Sequence, residues 1–111
     1  MDLYLQRDKL IQQLQYSVKE LAKNGQSLAE AEMNYKIAVN KKALQLKDDG
    51  MAVTLIQTII YGYDDIARLR FKRDCAEAIY NANQESINSI KLQLRLIENQ
   101  TQREYAKEIV E

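Results

Sequence analysis

The sequence predicts an all-α protein: a long antiparallel helical hairpin, coiled-coil-like, with a short helix at its tip. Three observations carry this. The 111 residues contain no Pro and only three Gly, and long stretches of Ala, Leu, Glu, Lys, Gln and Arg are what a helix tolerates best. Apolar residues recur at three- and four-residue steps along two extended segments. No run alternates apolar and polar residues for long enough to read as a strand.

The first helix is expected over about 3–47. Asp2 is a good cap for its start. Its frame runs Ile11, Leu14, Val18, Leu21, Gly25, Leu28, Glu32, Tyr35, Val39, Lys42, Leu46, widened by Leu10, Ala22, Ala29, Ala38 and Ala43, which reads as the face of a bundle helix rather than a narrow seam. Asn24-Gly25 could end one helix, with Ser27 and Glu30 as a capping box for the next. The heptad phase passes through Gly25 without a slip, so one continuous or gently kinked helix is preferred.

Lys47-Asp48-Asp49-Gly50 is a firmer stop: a cation suits the last turn, and Gly50 can adopt the left-handed cap. Thr54 and Gln57 form a possible capping box for a short helix at about 54–61, which Gly62 ends. Asp64 and Asp65 place negative charge at the start of the last helix, expected over about 64–107. Its frame is Ile66, Leu69, Arg73, Ala76, Tyr80, Asn83, Ile87, Ile90, Leu94, Ile97, Thr101.

These elements make one helical domain spanning 1–111. A hairpin has one seam, and Leu10, Ile37, Ile79, Leu92 and Leu96 do not all fit into it. Contiguous apolar surface marks an interaction site, and the simplest closure is a homodimer forming a helical bundle. Its seam is expected at Leu69, Ala76, Tyr80, Asn83, Ile87, Ile90, Leu94 and Ile97. Asn83 would set register there or lie solvated at the bundle edge.

The charges balance, 16 basic against 16 acidic, which argues against a globally basic nucleic-acid binder and against an acidic disordered tail. The single Cys75 reads as a small buried helix residue. No stretch approaches the about 18 apolar residues of a membrane span, and MDLYLQRDKL lacks the apolar core of a signal peptide. The cytoplasm is the default location.

Catalysis requires a positioned acid, base, nucleophile or metal. There is no His, no Gly-rich phosphate loop, no Cys pair and no Ser in a nucleophile turn. Glu30 and Glu32, two residues apart, point to different helix faces. Asp48, Asp49, Asp64 and Asp65 could meet at the tip around a hard cation, although acids at helix ends ordinarily serve capping and solubility. The expectation is no enzyme, no cofactor and no metal.

The basic residues are less evenly spread. Lys36, Lys41, Lys42 and Lys47 end the first long helix, and Arg68, Arg70, Lys72 and Arg73 begin the last. An antiparallel hairpin gathers them at the tip with Tyr61, Tyr63 and Phe71. Such a cluster can hold a phosphate backbone and stack on bases, dock an acidic protein surface, or simply be solvated and offset by Asp48, Asp49, Asp64, Asp65 and Asp74. The candidate partner-binding residues are Lys41, Lys42, Lys47, Arg68, Arg70, Lys72 and Arg73, with the three tip aromatics.

The segments LAEAE (28–32), GMAVTLI (50–56), ARLRFKRDCAE (67–77) and INSIKLQLRLIENQ (87–100) together resemble small all-helical proteins encoded in phages and prophages of Gram-positive bacteria. The resemblance covers most of the chain. It lies in helical segments rather than chemical motifs and transfers no functional residue. It implies a virus-derived, non-enzymatic protein acting inside a bacterium. By analogy with other small phage proteins, the expectation is an interaction protein that binds a host or phage protein, such as a defence or replication and recombination component. A nucleic-acid accessory protein using the basic tip and a virion structural or assembly factor are the alternatives.

Overall fold

The computed structural model describes residues 2–110. The chain forms helix α1 (Leu3–Asp48), the short helix α2 (Val53–Ile59), a single 3-10 turn (Ile60–Gly62) and helix α3 (Asp64–Val110). No strand occurs among the described residues, and the architecture is an all-α helical hairpin. The residues cluster into two compact units. Asn24–Tyr80 contains the tip; Met1–Lys23 and Asn81–Glu111 form the other.

Local chemistry explains each boundary. Asp2 caps α1: its Oδ1 accepts the Tyr4 N–H at 2.9 Å and the Leu5 N–H at 3.3 Å. These are two of the donors a helix start leaves without a helical partner. α1 continues through Asn24-Gly25 without a break. It ends at Gly50, whose φ is +89°. The Gly50 N–H reaches the Lys47 carbonyl at 3.0 Å and the Met51 N–H reaches that of Leu46 at 3.0 Å. This is a Schellman stop, and the packing of Met51 against the cluster containing Leu46 supplies its usual apolar contact.

The expected capping box at Thr54 and Gln57 does not form. The Schellman stop leads the chain directly into α2, with Ala52 in extended conformation as its uncapped N-terminal residue. Thr54 is therefore already helical, and its carbonyl accepts the Thr58 hydroxyl at 3.0 Å. The last residues of the expected short helix tighten instead into the 3-10 turn. Tyr63, extended, accepts the Ala67 N–H at 2.8 Å and starts α3. Asp64 and Asp65 occupy the first turn, where negative charge complements the helix dipole.

In the 24–80 unit, Leu46, Ile56 and Ile60 form a buried cluster walled by Val39, Ala43, Met51 and Tyr63. Ile66 is the most enclosed residue, with no exposed surface; burying such a side chain contributes about 1.5–3 kcal/mol. In the other unit the buried side chains among the described residues are Ile87 and Ile90.

On α3 the expected frame accounts for every buried or half-buried position among the described residues: Ile66, Leu69, Arg73, Ala76, Tyr80, Asn83, Ile87, Ile90, Leu94, Ile97 and Thr101. That spacing is a narrow coiled-coil stripe. α1 buries a broader band. Leu10, Ser17, Asn24, Ala31 and Ala38 join the expected frame, whereas Val18 is 51% exposed. Leu10, expected in the exposed remainder, is half-buried. Cys75, expected to be buried, is exposed, because it lies two residues past frame position Arg73 and so on the far side of the helix.

Candidate functional site

The basic residues near the tip separate into two groups. Lys42 occupies a frame position of α1. Its Nζ lies 3.1 Å from Asp65 Oδ2 and 4.8 Å from the centre of the Tyr63 ring. The hydrogen bond from Lys42 holds the Asp65 carboxyl below the usual carboxylate range. Arg73 occupies a frame position of α3. Its guanidinium sits 4.7 Å from the centre of the buried Tyr35 ring, and its Nη2 donates to Asp74 Oδ1 at 2.8 Å. The Asp74 bond raises the Arg73 pKa above its ordinary value. Lys42 and Arg73 thus cover aromatic rings in the seam, with apolar stems packed and charged heads paired. Their periodicity already marked them as inward-facing.

Arg68 is paired in a different way. Its Nε donates to Asp64 Oδ2 at 2.9 Å, one helical turn away, with both side chains well exposed; such a surface pair contributes little to stability. Arg70 lies 5.6 Å from the centre of the Tyr61 ring. Lys36, Lys41, Lys47 and Lys72 are exposed and make no ion pair among the described residues.

The three tip aromatics occupy three settings. Tyr63 packs on the core cluster beneath Lys42, Tyr61 is half-exposed against Arg70, and Phe71 is 70% exposed. They form no common stacking platform. The four tip acids do not converge on a cation site either. Asp64 and Asp65 face Arg68 and Lys42, and no group of three or more Asp, Glu, Cys or His among the described residues is placed to hold a metal ion.

The 24–80 unit is electrically neutral. Its eight cations (Lys36, Lys41, Lys42, Lys47, Arg68, Arg70, Lys72, Arg73) are matched by Glu30, Glu32, Asp48, Asp49, Asp64, Asp65, Asp74 and Glu77.

The residues expected at a dimer seam are all buried or half-buried within the single chain. Gly25 and Tyr80 touch: a Cβ on Gly25 would sit 3.3 Å from the Tyr80 ring. Asn83 Nδ2 donates to the Ser17 carbonyl at 3.1 Å. A second chain would therefore meet other surfaces. Among the described residues the exposed large apolar side chains are Met33, Ile37, Leu44, Val53, Leu55, Tyr61, Phe71 and Ile79 in the 24–80 unit, and Tyr4, Leu5, Tyr16, Val18, Leu92, Leu96, Tyr105 and Ile109 in the other. Of the residues expected to stay outside the seam, Ile37, Ile79, Leu92 and Leu96 are exposed on outer helix faces. Met33 and Leu44 were not singled out by the sequence frame. They lie two residues past Ala31 and Lys42, and that offset was the signal available.

Surface depressions are open to solvent. One in the terminal unit, of about 450 Å³, is lined by Lys9, Gln12, Gln13, Tyr16, Ser17, Ser86 and Ile90. Among the described residues no helix is long and apolar enough to cross a membrane. The chain matches no protein-family model, no curated protein and no solved structure.

Proposed function

We propose that this chain is a non-enzymatic interaction protein that binds another protein through its outward helix faces. The observation that carries this is apolar exposure beyond the seam: Leu44, Phe71, Ile79, Leu92 and Leu96 are each more than half exposed although the frame positions, Val18 apart, are already buried or half-buried. Large exposed apolar patches mark interaction surfaces. Self-association as a homodimer is part of the reading and would use these outer faces. The phage setting, the bacterial cytoplasm, and a host defence or replication component as target rest on the segment resemblance alone.

Affinity capture from a bacterial lysate tests the reading, with the wild type beside variants carrying Glu at Phe71, at Ile79, or at Leu92 with Leu96, and at the α1 face considered below. A partner held by the wild type and lost from at least one variant supports it. No specific partner, or capture insensitive to every variant, counts against it. Sedimentation equilibrium showing a monomer at micromolar concentration removes the homodimer.

Protein is favoured over nucleic acid because Lys42 and Arg73 are used within the fold and the 24–80 unit has no net charge. A nucleic-acid role would show as salt-sensitive binding to DNA or RNA, lost in Lys41→Glu/Lys47→Glu/Lys72→Glu. Recovery of the protein in purified phage particles would instead point to a virion component.

A further inference from the structure

One outer face of α1 is more specific than the rest. Met33, Ile37 and Leu44 are 53%, 45% and 63% exposed. At 3.6 residues per turn they fall within about 40° of one another, on the side of the helix turned away from the buried band. They span about 16 Å along the axis, three turns, with the exposed, uncharged Asn40 on the same side between Ile37 and Leu44. Lys36 and Lys47 border one edge of this stripe and Lys41 the other. All three are exposed and without an ion pair among the described residues, unlike neighbouring Lys42, which is held by Asp65. Glu30 and Asp48 mark the two ends.

We propose that this face receives a three-turn amphipathic helix of a partner protein, with an apolar stripe and Asp or Glu along its edges. This rests on the reading of the chain as an interaction protein and names the surface and the partner chemistry. An apolar stripe between charged borders is how a helix is recognised by the side chains on one face of another. The borders decide the sign: three free lysines favour carboxylates and repel cations. They also argue against the same face of a second copy, which would bring lysine against lysine. The outward face of α3 fits poorly as well, because Lys72, exposed and without an ion pair among the described residues, lies beside Phe71 and Cys75.

Two synthetic helical peptides test the proposal. They share one Leu and Ala face and differ only in carrying Glu or Lys along its edges. Binding to the full chain is read by fluorescence anisotropy, and circular dichroism checks that each variant is folded. The expected result is about tenfold tighter binding of the Glu peptide. Binding should fall by about tenfold or more in Ile37→Glu/Leu44→Glu, and the preference should invert in Lys36→Glu/Lys41→Glu/Lys47→Glu. Equal binding of both peptides, no binding of either, or a preference untouched by the lysine changes overturns it. So does loss of self-association in Ile37→Glu/Leu44→Glu, which would show a second copy on this face. A lysate partner held equally by the wild type and that double variant refutes the surface but leaves the interaction reading standing. If the wild type holds no partner, both fail.

Discussion

Asn83 reaches across the seam to the backbone of the opposite helix, its Nδ2 donating to the Ser17 carbonyl at 3.1 Å. A polar residue at a seam position fixes register at a cost in stability. Asn83→Ala should therefore lower unfolding free energy by about 1 kcal/mol through the lost hydrogen bond. Asn83→Leu should be at least as stable as the wild type while relaxing register. Urea unfolding measures the first effect, and amide exchange along residues 10–24 the second. A large loss of stability in Asn83→Leu would show that the amide is a net stabiliser.

Gly25 lies in the middle of an unbroken helix and against the Tyr80 ring. Alanine there gains about 1 kcal/mol of helix propensity and requires the ring to move by a few tenths of an ångström. Gly25→Ala should be mildly stabilising, by about 0.5 kcal/mol net. Gly25→Leu should be destabilising, because no small shift of Tyr80 accommodates an isobutyl group. Thermal melts of the two variants should move in opposite directions.

Ile66 and Ile79 sit on one helix with opposite environments, the first fully buried and the second 56% exposed. Ile66→Ala should cost about 2–5 kcal/mol, enough to melt much of the 24–80 unit in so small a protein. Ile79→Ala should change stability by no more than about 0.5 kcal/mol. Similar costs for the two would contradict the α3 register.

The Lys42–Asp65 pair makes a pH prediction. The folded-state pKa of Asp65 is depressed, chiefly by the Lys42 hydrogen bond. The pair's contribution is therefore complete above the unfolded carboxylate pKa of about 4 and is lost as pH falls through the lower folded value. The stability difference between wild type and Asp65→Asn should be flat above about pH 5 and shrink below about pH 4. A difference that grew on acidification would be inconsistent with the pair.

Much of the fold is legible in the sequence where side chains are large and spacing is strict. On α3 each inward position follows from the three- and four-residue steps, including Arg73 and Asn83, which are polar. On α1 the expected frame is inward at every position but Val18, and the buried band is wider than that frame. Ser17, Asn24 and Ala31 are small or polar and do not stand out as core, whereas the conspicuous Val18 points outward. The capping role assigned to Thr54 failed because α2 starts earlier than expected, with Ala52 at the cap position and Thr54 already inside the helix, which depends on backbone geometry rather than residue type. At the candidate site, composition overcounted. Lys42 and Arg73 were grouped with the free cations, although their frame positions already placed them inward.

The charge balance of residues 24–80 bears on kinetics as well as affinity. Eight cations interspersed with eight anions produce little net field beyond a Debye length, about 8 Å at physiological salt. A partner arriving from solution is not drawn in from afar, so its association rate should stay near the unsteered range of about 10⁵–10⁶ M⁻¹s⁻¹. Lys36, Lys41 and Lys47 can orient it only over the last few ångströms. Discrimination among partners would then lie in how long each stays, not in how fast each arrives.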